Sequence, residues 1–198
     1  MIGCMCAWLR RSAVDDSGLS LTELIVSIGL LAMVLAVAWN LQAYMTKVNA
    51  ANEREAYLSS EVGTPLMLID KLVMQNSVIE GGCSANRISF LTDMNLDDVR
   101  ERTVISVDPD TGVIRRTTWE IDGAGDETML LHDAVLSEHS INDSSSHPLF
   151  VYLDSEGQVI TNTDNIASST RSVLTTIFVD YSGTLYSDSR ETHLRNRE

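Results

Sequence analysis

Residues 24–46 form an unbroken stretch without a single Asp, Glu, Lys or Arg, bounded by Glu23 on one side and Lys47 on the other. Leu, Ile, Val, Ala and Met dominate it. As a helix the stretch would be about 35 Å long at the standard rise, enough to cross the hydrocarbon core of a bilayer. The chain has 198 residues, so what remains is enough for one core-bearing domain. The formal net charge is −14, and the apolar stretch contributes none of it. That balance argues against a nucleic-acid binder, which needs a basic stripe to neutralise phosphates. The pattern predicts a membrane anchor followed by a polar, acidic head.

Helical periodicity outlasts the anchor. Apolar residues recur at three- and four-residue spacings through Leu41, Tyr44, Val48, Ala51, Tyr57, Leu58 and Val62, then Leu66, Ile69, Leu72 and Val73. Trp39 and Tyr44 sit where an interfacial aromatic belt would lie. Gly63-Thr64-Pro65 predicts a break, with Thr64 as N-cap and Pro65 opening a second helix over 65–75. Asp70 is expected on the wet face of that helix. Gly81-Gly82 closes the helical half.

Beyond Gly82 the pattern changes to short β-type runs at 87–91, 103–107, 113–121, 128–131, 149–153, 158–161 and 173–181. Turn-forming clusters separate them, including Asp108-Pro109-Asp110-Thr111-Gly112, Asp122-Gly123-Ala124-Gly125-Asp126 and Ser182-Gly183. Hairpin signals at regular spacing predict an antiparallel β-sheet, and with the long helix an α+β fold.

The most informative segment precedes the anchor: Ser17-Gly18-Leu19-Ser20-Leu21-Thr22-Glu23-Leu24. A carboxylate at the mouth of an apolar run is costly if it is desolvated without a partner, which marks Glu23 as a functional position. Chain cleavage after Gly18 would create such a partner, the α-amino group of Leu19. Gly18, Ser20, Leu21 and Glu23 resemble the signal of type IV prepilins and type II secretion pseudopilins, G-F-[ST]-L-x-E followed by an apolar run. The resemblance implies cleavage between Gly18 and Leu19 by a membrane prepilin peptidase, N-methylation of Leu19, and assembly contacts from Glu23 to a neighbouring subunit's N-terminus. It implies a pilin-like fold, in which the long helix packs on an antiparallel sheet. The sequence departs from the pattern in having Leu19 where phenylalanine is usual. Asn40 stands where many major pilins carry a helix-kinking proline, so no kink is expected there. The order of elements in the head is loosely similar to the PilW/PulJ-like minor subunits.

Other readings of the N-terminus stay open at this level. Ala36-Val37-Ala38 has the form of a secretory signal-peptide site, and a plain signal anchor would also carry such a run. Cys4 and Cys6 precede Gly18, leaving Cys83 alone in the expected mature chain, where it reads as a small, partly buried apolar residue; an intermolecular bridge is the alternative. Oxygen ligands at Asp108, Asp110, Asp122, Asp126 and Glu127 lack the spacing of a dedicated calcium loop. His132, His139, His147 and His193 show no metal spacing, and no nucleophile, phosphate or dinucleotide motif is present. Ser137 to Ser146 reads as a polar loop. The chain is therefore expected not to be an enzyme and to need no cofactor.

The expected organisation is a leader at 1–18, an assembly helix at 19–46, an amphipathic helical region at 47–80 and a β-rich head at 81–198. The expected function is that of a minor pilin or pseudopilin held in the cytoplasmic (inner) membrane, head outside, before joining a filament. Its partners would be prepilin peptidase, other pilin or pseudopilin subunits and a membrane assembly platform. Nucleic-acid contact by the head is not expected. The alternative is a single-pass membrane-anchored protein whose extracytoplasmic head binds a ligand or serves in adhesion.

Overall fold

The computed structural model describes residues 20–75, 78–92 and 99–194. The chain is α+β: one long N-terminal apolar helix is followed by an antiparallel β head. Helix α1 spans Leu21–Leu58. A π-helical turn, Ser59–Gly63, leads directly into α2, Thr64–Gln75. The chain divides into two compact units after Ala51, inside α1.

The expected break at Gly63-Thr64-Pro65 does not occur. Thr64 has helical backbone angles and donates its N–H to Ser59 O, five residues back, rather than acting as an N-cap. The reason lies in Pro65, which lacks an N–H and whose ring would crowd the carbonyl four residues earlier. Inserting one residue into the turn relieves that crowding without ending the helix.

Among the described residues the head holds two sheets. The first has strands β1 (Val78–Ile79), β2 (Arg87–Thr92), β3 (Arg100–Val107), β4 (Ile114–Ile121) and β5 (Glu127–Ser137), hydrogen-bonded in sequence order. The second has β6 (Phe150–Leu153), β7 (Ser172–Tyr181) and β8 (Thr184–His193), with β7 central. All pairs are antiparallel. A short helix α3, Thr163–Ser169, links β6 to β7 and is capped by the Asn162 side chain.

Leu66, Ile69, Leu72 and Val73 recur on one face of α2 and are all buried. They share a core with Ile88, Phe90, Ile105 and Ile114 from the first sheet and Phe150, Val173, Ile177 and Val179 from the second. Cys83 is fully buried in this core, with its Sγ 3.3 Å from Glu80 O. Burial pushes its thiol up, so it behaves as a packed apolar residue. Tyr152, also buried, donates its OH to Arg87 O (2.8 Å) and Ser84 O (3.2 Å) across the two sheets.

Three expectations need correcting. Residues 158–161 are not a strand: only Val159 bridges, to Leu153, and the chain then turns into α3. β1, α3 and the ten-residue β8 were not expected, and the expected strand 128–131 is the start of the longer β5. Asp70 is not on a wet face. Its side chain is only 14% exposed, accepts a hydrogen bond from Thr192 Oγ1, and lies 3.5 Å from Arg190. It fastens α2 to β8, since a half-buried carboxylate is retained where a donor and a cation offset its desolvation. The segment 137–146 is likewise held more tightly than a polar loop requires. Buried Asn142 bonds His147 O, Thr176 O and Phe178 N.

A second carboxylate fastens the π-turn to the head. Glu61 accepts from Ser137 Oγ (2.8 Å), Glu138 N (2.8 Å) and His139 N (3.1 Å), with His139 Nδ1 3.6 Å away. Burial pushes this carboxyl up, but the donated hydrogen bonds and His139 outweigh it and hold the group below the ordinary glutamate range. A depressed carboxylate adds stability that is present above its unfolded pKa and disappears as pH falls through the folded one. The melting temperature should therefore fall as pH drops below about 4, and Glu61→Gln should flatten that fall. An unchanged pH profile in thermal melts of the variant would count against the assignment.

Candidate functional site: the N-terminal helix

Ser20 starts the helix. Its Oγ accepts the backbone N–H of Glu23 at 3.2 Å, and its carbonyl accepts from Glu23 N (2.9 Å) and Leu24 N (3.1 Å). Thr22 Oγ1 lies 2.8 Å from Ser20 Oγ. Ser20 is thus an N-cap, and Glu23 is the third helical residue, where a carboxylate faces the positive end of the helix dipole. Sequence reasoning missed this cap. The spacing of a serine three residues before a glutamate was the available signal. Among the described residues no basic side chain pairs with Glu23. Gly18 and Leu19, the expected cleavage and methylation positions, lie outside the described residues.

None of the 38 residues of α1 is buried. Large apolar side chains point outward all round it, among them Leu24, Ile28, Leu31, Leu35 and Leu41, each more than half or about half exposed. A helix apolar on every face is suited to lipid or to a bundle of its own kind. By length and composition it is able to cross a membrane. Two of its polar side chains bond back into the helix: Asn40 Nδ2 donates to Ala36 O (2.9 Å) and Thr46 Oγ1 to Gln42 O (3.0 Å). Such back-bonding keeps donors paired where no water is available. As expected, α1 runs through Asn40 without interruption. Trp39 and Tyr44 are exposed near its middle.

No family model, curated protein or solved structure matches the chain.

The acidic turns are built for themselves. Asp108 Oδ1 accepts from Asp110 N, and Asp122 Oδ1 from Ala124 N and Asp126 N. These backbone donors hold both carboxyls below their ordinary range. The two turns flank opposite ends of β4, about 25 Å apart at the rise of a strand. Glu127 is engaged by Arg102 at 3.2 Å. Among the described residues, no three His, Cys, Asp or Glu side chains are placed to hold a metal ion. The histidines are dispersed: His132 on β5, His139 beside Glu61, His147 beside Asp143, and His193 at the end of β8.

Proposed function

We propose that this chain is a minor type IV pilin-like or pseudopilin subunit, cut by prepilin peptidase between Gly18 and Leu19 and N-methylated on Leu19. It waits in the cytoplasmic membrane as a single-pass protein with its head outside, then joins a filament of related subunits through a membrane assembly platform. The observation that carries this reading is the order of parts at the N-terminus. A glycine precedes the serine that caps a long helix, a carboxylate occupies the first turn, and an uncharged span of bilayer length follows.

Each part has a physical role in assembly. The apolar surface of α1 gives a helix that can exchange lipid for neighbouring helices at little cost, because both are apolar. Glu23 resists burial unless a cation accompanies it, so a neighbour's Leu19 amine selects the register in which both charges are offset. The role is protein–protein assembly, without catalysis.

Gly18→Trp is expected to leave the full-length precursor, because the residue before the scissile bond would no longer fit the peptidase. The wild-type chain should have the mass of a product beginning at methylated Leu19. A product starting at Trp39 would instead identify a secretory signal peptide, and an uncut chain a plain membrane anchor with a ligand-binding or adhesive head. Either mass in the wild type, or normal shortening of the Gly18→Trp variant by immunoblot, overturns the proposal.

A further inference from the structure

Asn40 sets an amide into an apolar helix. The uncharged span 24–46 has its middle at Leu35, and Asn40 stands five residues beyond it, about 8 Å along the axis. In a bilayer whose hydrocarbon core is about 30 Å thick, that depth lies inside the core. Gln42, the other amide of the span, stands further out.

The hydrogen bonds of Asn40 leave a definite remainder. Nδ2 donates one hydrogen to Ala36 O at 2.9 Å. Ala36 O can only accept, so this bond fixes which end of the amide is nitrogen and holds the side chain against the preceding turn. One N–H and the oxygen Oδ1 are left over, and among the described residues nothing takes either. Water would solvate both, but hydrocarbon supplies neither donor nor acceptor. The group that completes Asn40 there carries one donor and one acceptor at the same depth.

A second copy of this chain carries that group. Chains inserted in the same sense place Asn40 at one depth, so two parallel helices related by a two-fold axis bring their amides together. Each free N–H then donates to the other's Oδ1, and nothing polar is left over. The backbone allows the approach. Gly29, Ala36 and Ala43 follow at seven-residue steps on the face of α1 that carries Asn40, and nothing stands within 4 Å of the space a side chain would take at Gly29. These small residues would admit many helices; the amide selects one that carries its complement at the same depth.

We propose that Asn40 pairs with Asn40 of a second copy of this chain, joining two parallel α1 helices without stagger while they lie in the membrane. The contact expected in the filament, Glu23 with a neighbour's Leu19, offsets two helices by four residues, about 6 Å, so one pair of helices cannot make both contacts. The Asn40 pair is therefore a stage before assembly. It deepens the filament reading and rests on the part of it that puts α1 in a membrane. It needs no cleavage at Gly18, so the processing blot and the test below fail independently.

Sedimentation equilibrium of the full chain in neutral detergent, at several ratios of protein to detergent, supplies that test. Wild type is expected to form dimers. Asn40→Leu, which keeps the helix apolar, is expected to raise the dissociation constant about five- to tenfold through loss of two interhelical hydrogen bonds, with an unchanged far-UV spectrum. Asn40→Gln, which keeps the amide, should weaken the dimer less. Thiol crosslinking locates the contact. With Cys4→Ser and Cys6→Ser in place and Cys83 buried in the core, Ala36→Cys should give a covalent dimer under a mild oxidant, and Ala38→Cys, on the opposite face, should not. Association of Asn40→Leu equal to wild type, or equal crosslinking from positions 36 and 38, overturns the proposal. A wild type that stays monomeric at every ratio also overturns it, and leaves the amide to a different subunit's helix.

Discussion

Gly112→Ala is expected to destabilise the head by about 3 kcal/mol or more, among the largest effects of any single methyl addition in the chain. Gly112 has φ +71, a conformation that L side chains rarely adopt. A Cβ there would meet Ser140 O at 2.0 Å, and that atom is backbone, so no side-chain rotation can relieve the clash. Gly112 O also accepts from Ser140 N (3.0 Å) and Ser140 Oγ (2.7 Å). The turn before β4 and the segment after β5 are therefore clamped by one glycine, and moving either strains the sheet's register. Urea unfolding of the full chain, followed by far-UV circular dichroism, checks this. A loss under about 1 kcal/mol would show that the clamp gives way easily.

Glu23→Val is the second large expectation. Under the prepilin reading the variant should still be cut after Gly18 but should fail to enter filaments. Removing one member of a buried charge pair leaves the other uncompensated, at a cost of about 3–5 kcal/mol, more than a hundredfold in an assembly equilibrium. Loss of the favourable carboxylate–dipole contact is worth only about 0.3–1 kcal/mol and cannot by itself produce such a defect. Ser20→Ala, which removes the cap but keeps the charge, separates the two effects and should assemble far better than Glu23→Val. Normal incorporation of Glu23→Val into sheared filaments would show that charge pairing is not what sets the register.

The parts legible from sequence are those where local chemistry and tertiary context agree. The uncharged run reads as a helix because nothing in it favours any other state, and β2, β3, β4 and β7 alternate or run apolar between turn residues. β8 was invisible for the opposite reason. Its sequence Thr-Leu-Tyr-Ser-Asp-Ser-Arg-Glu-Thr-His has almost no apolar face, and it is a strand because β7 offers it ten partners in register. The turn that delivers it, Ser182-Gly183 with both residues at positive φ, was readable as a hairpin, but the strand after it was not. The false strand at 158–161 shows the converse, a run of suitable composition with no neighbour beyond one bridge. Glu61 carries no signal in the sequence and Asp70 reads as a wet-face residue, because a carboxylate that fastens two elements has the same local spacing as one on a wet face. Only the approach of Ser137 and Thr192, 76 and 122 residues away, distinguishes them. At the N-terminus the order of Gly18, Ser20 and Glu23 was plain from sequence, and the structure adds what Ser20 does for the helix.

β5 opposes eight residues of β4 with eleven of its own, and the pairing slips at three places: between Ile114 and Arg115, between Thr118 and Trp119, and between Glu120 and Ile121. Its outer edge carries Met129, Leu130, Leu131 and Val135 in the open. A straight edge of that composition would be a template on which other chains could add strands without limit. The slips leave residues 132–135 as the longest stretch in uninterrupted register, with 129–130 as a second, both short ladders. An edge bent in this way is a poor template for a further strand, and its exposed apolar residues are left for side-chain contacts alone.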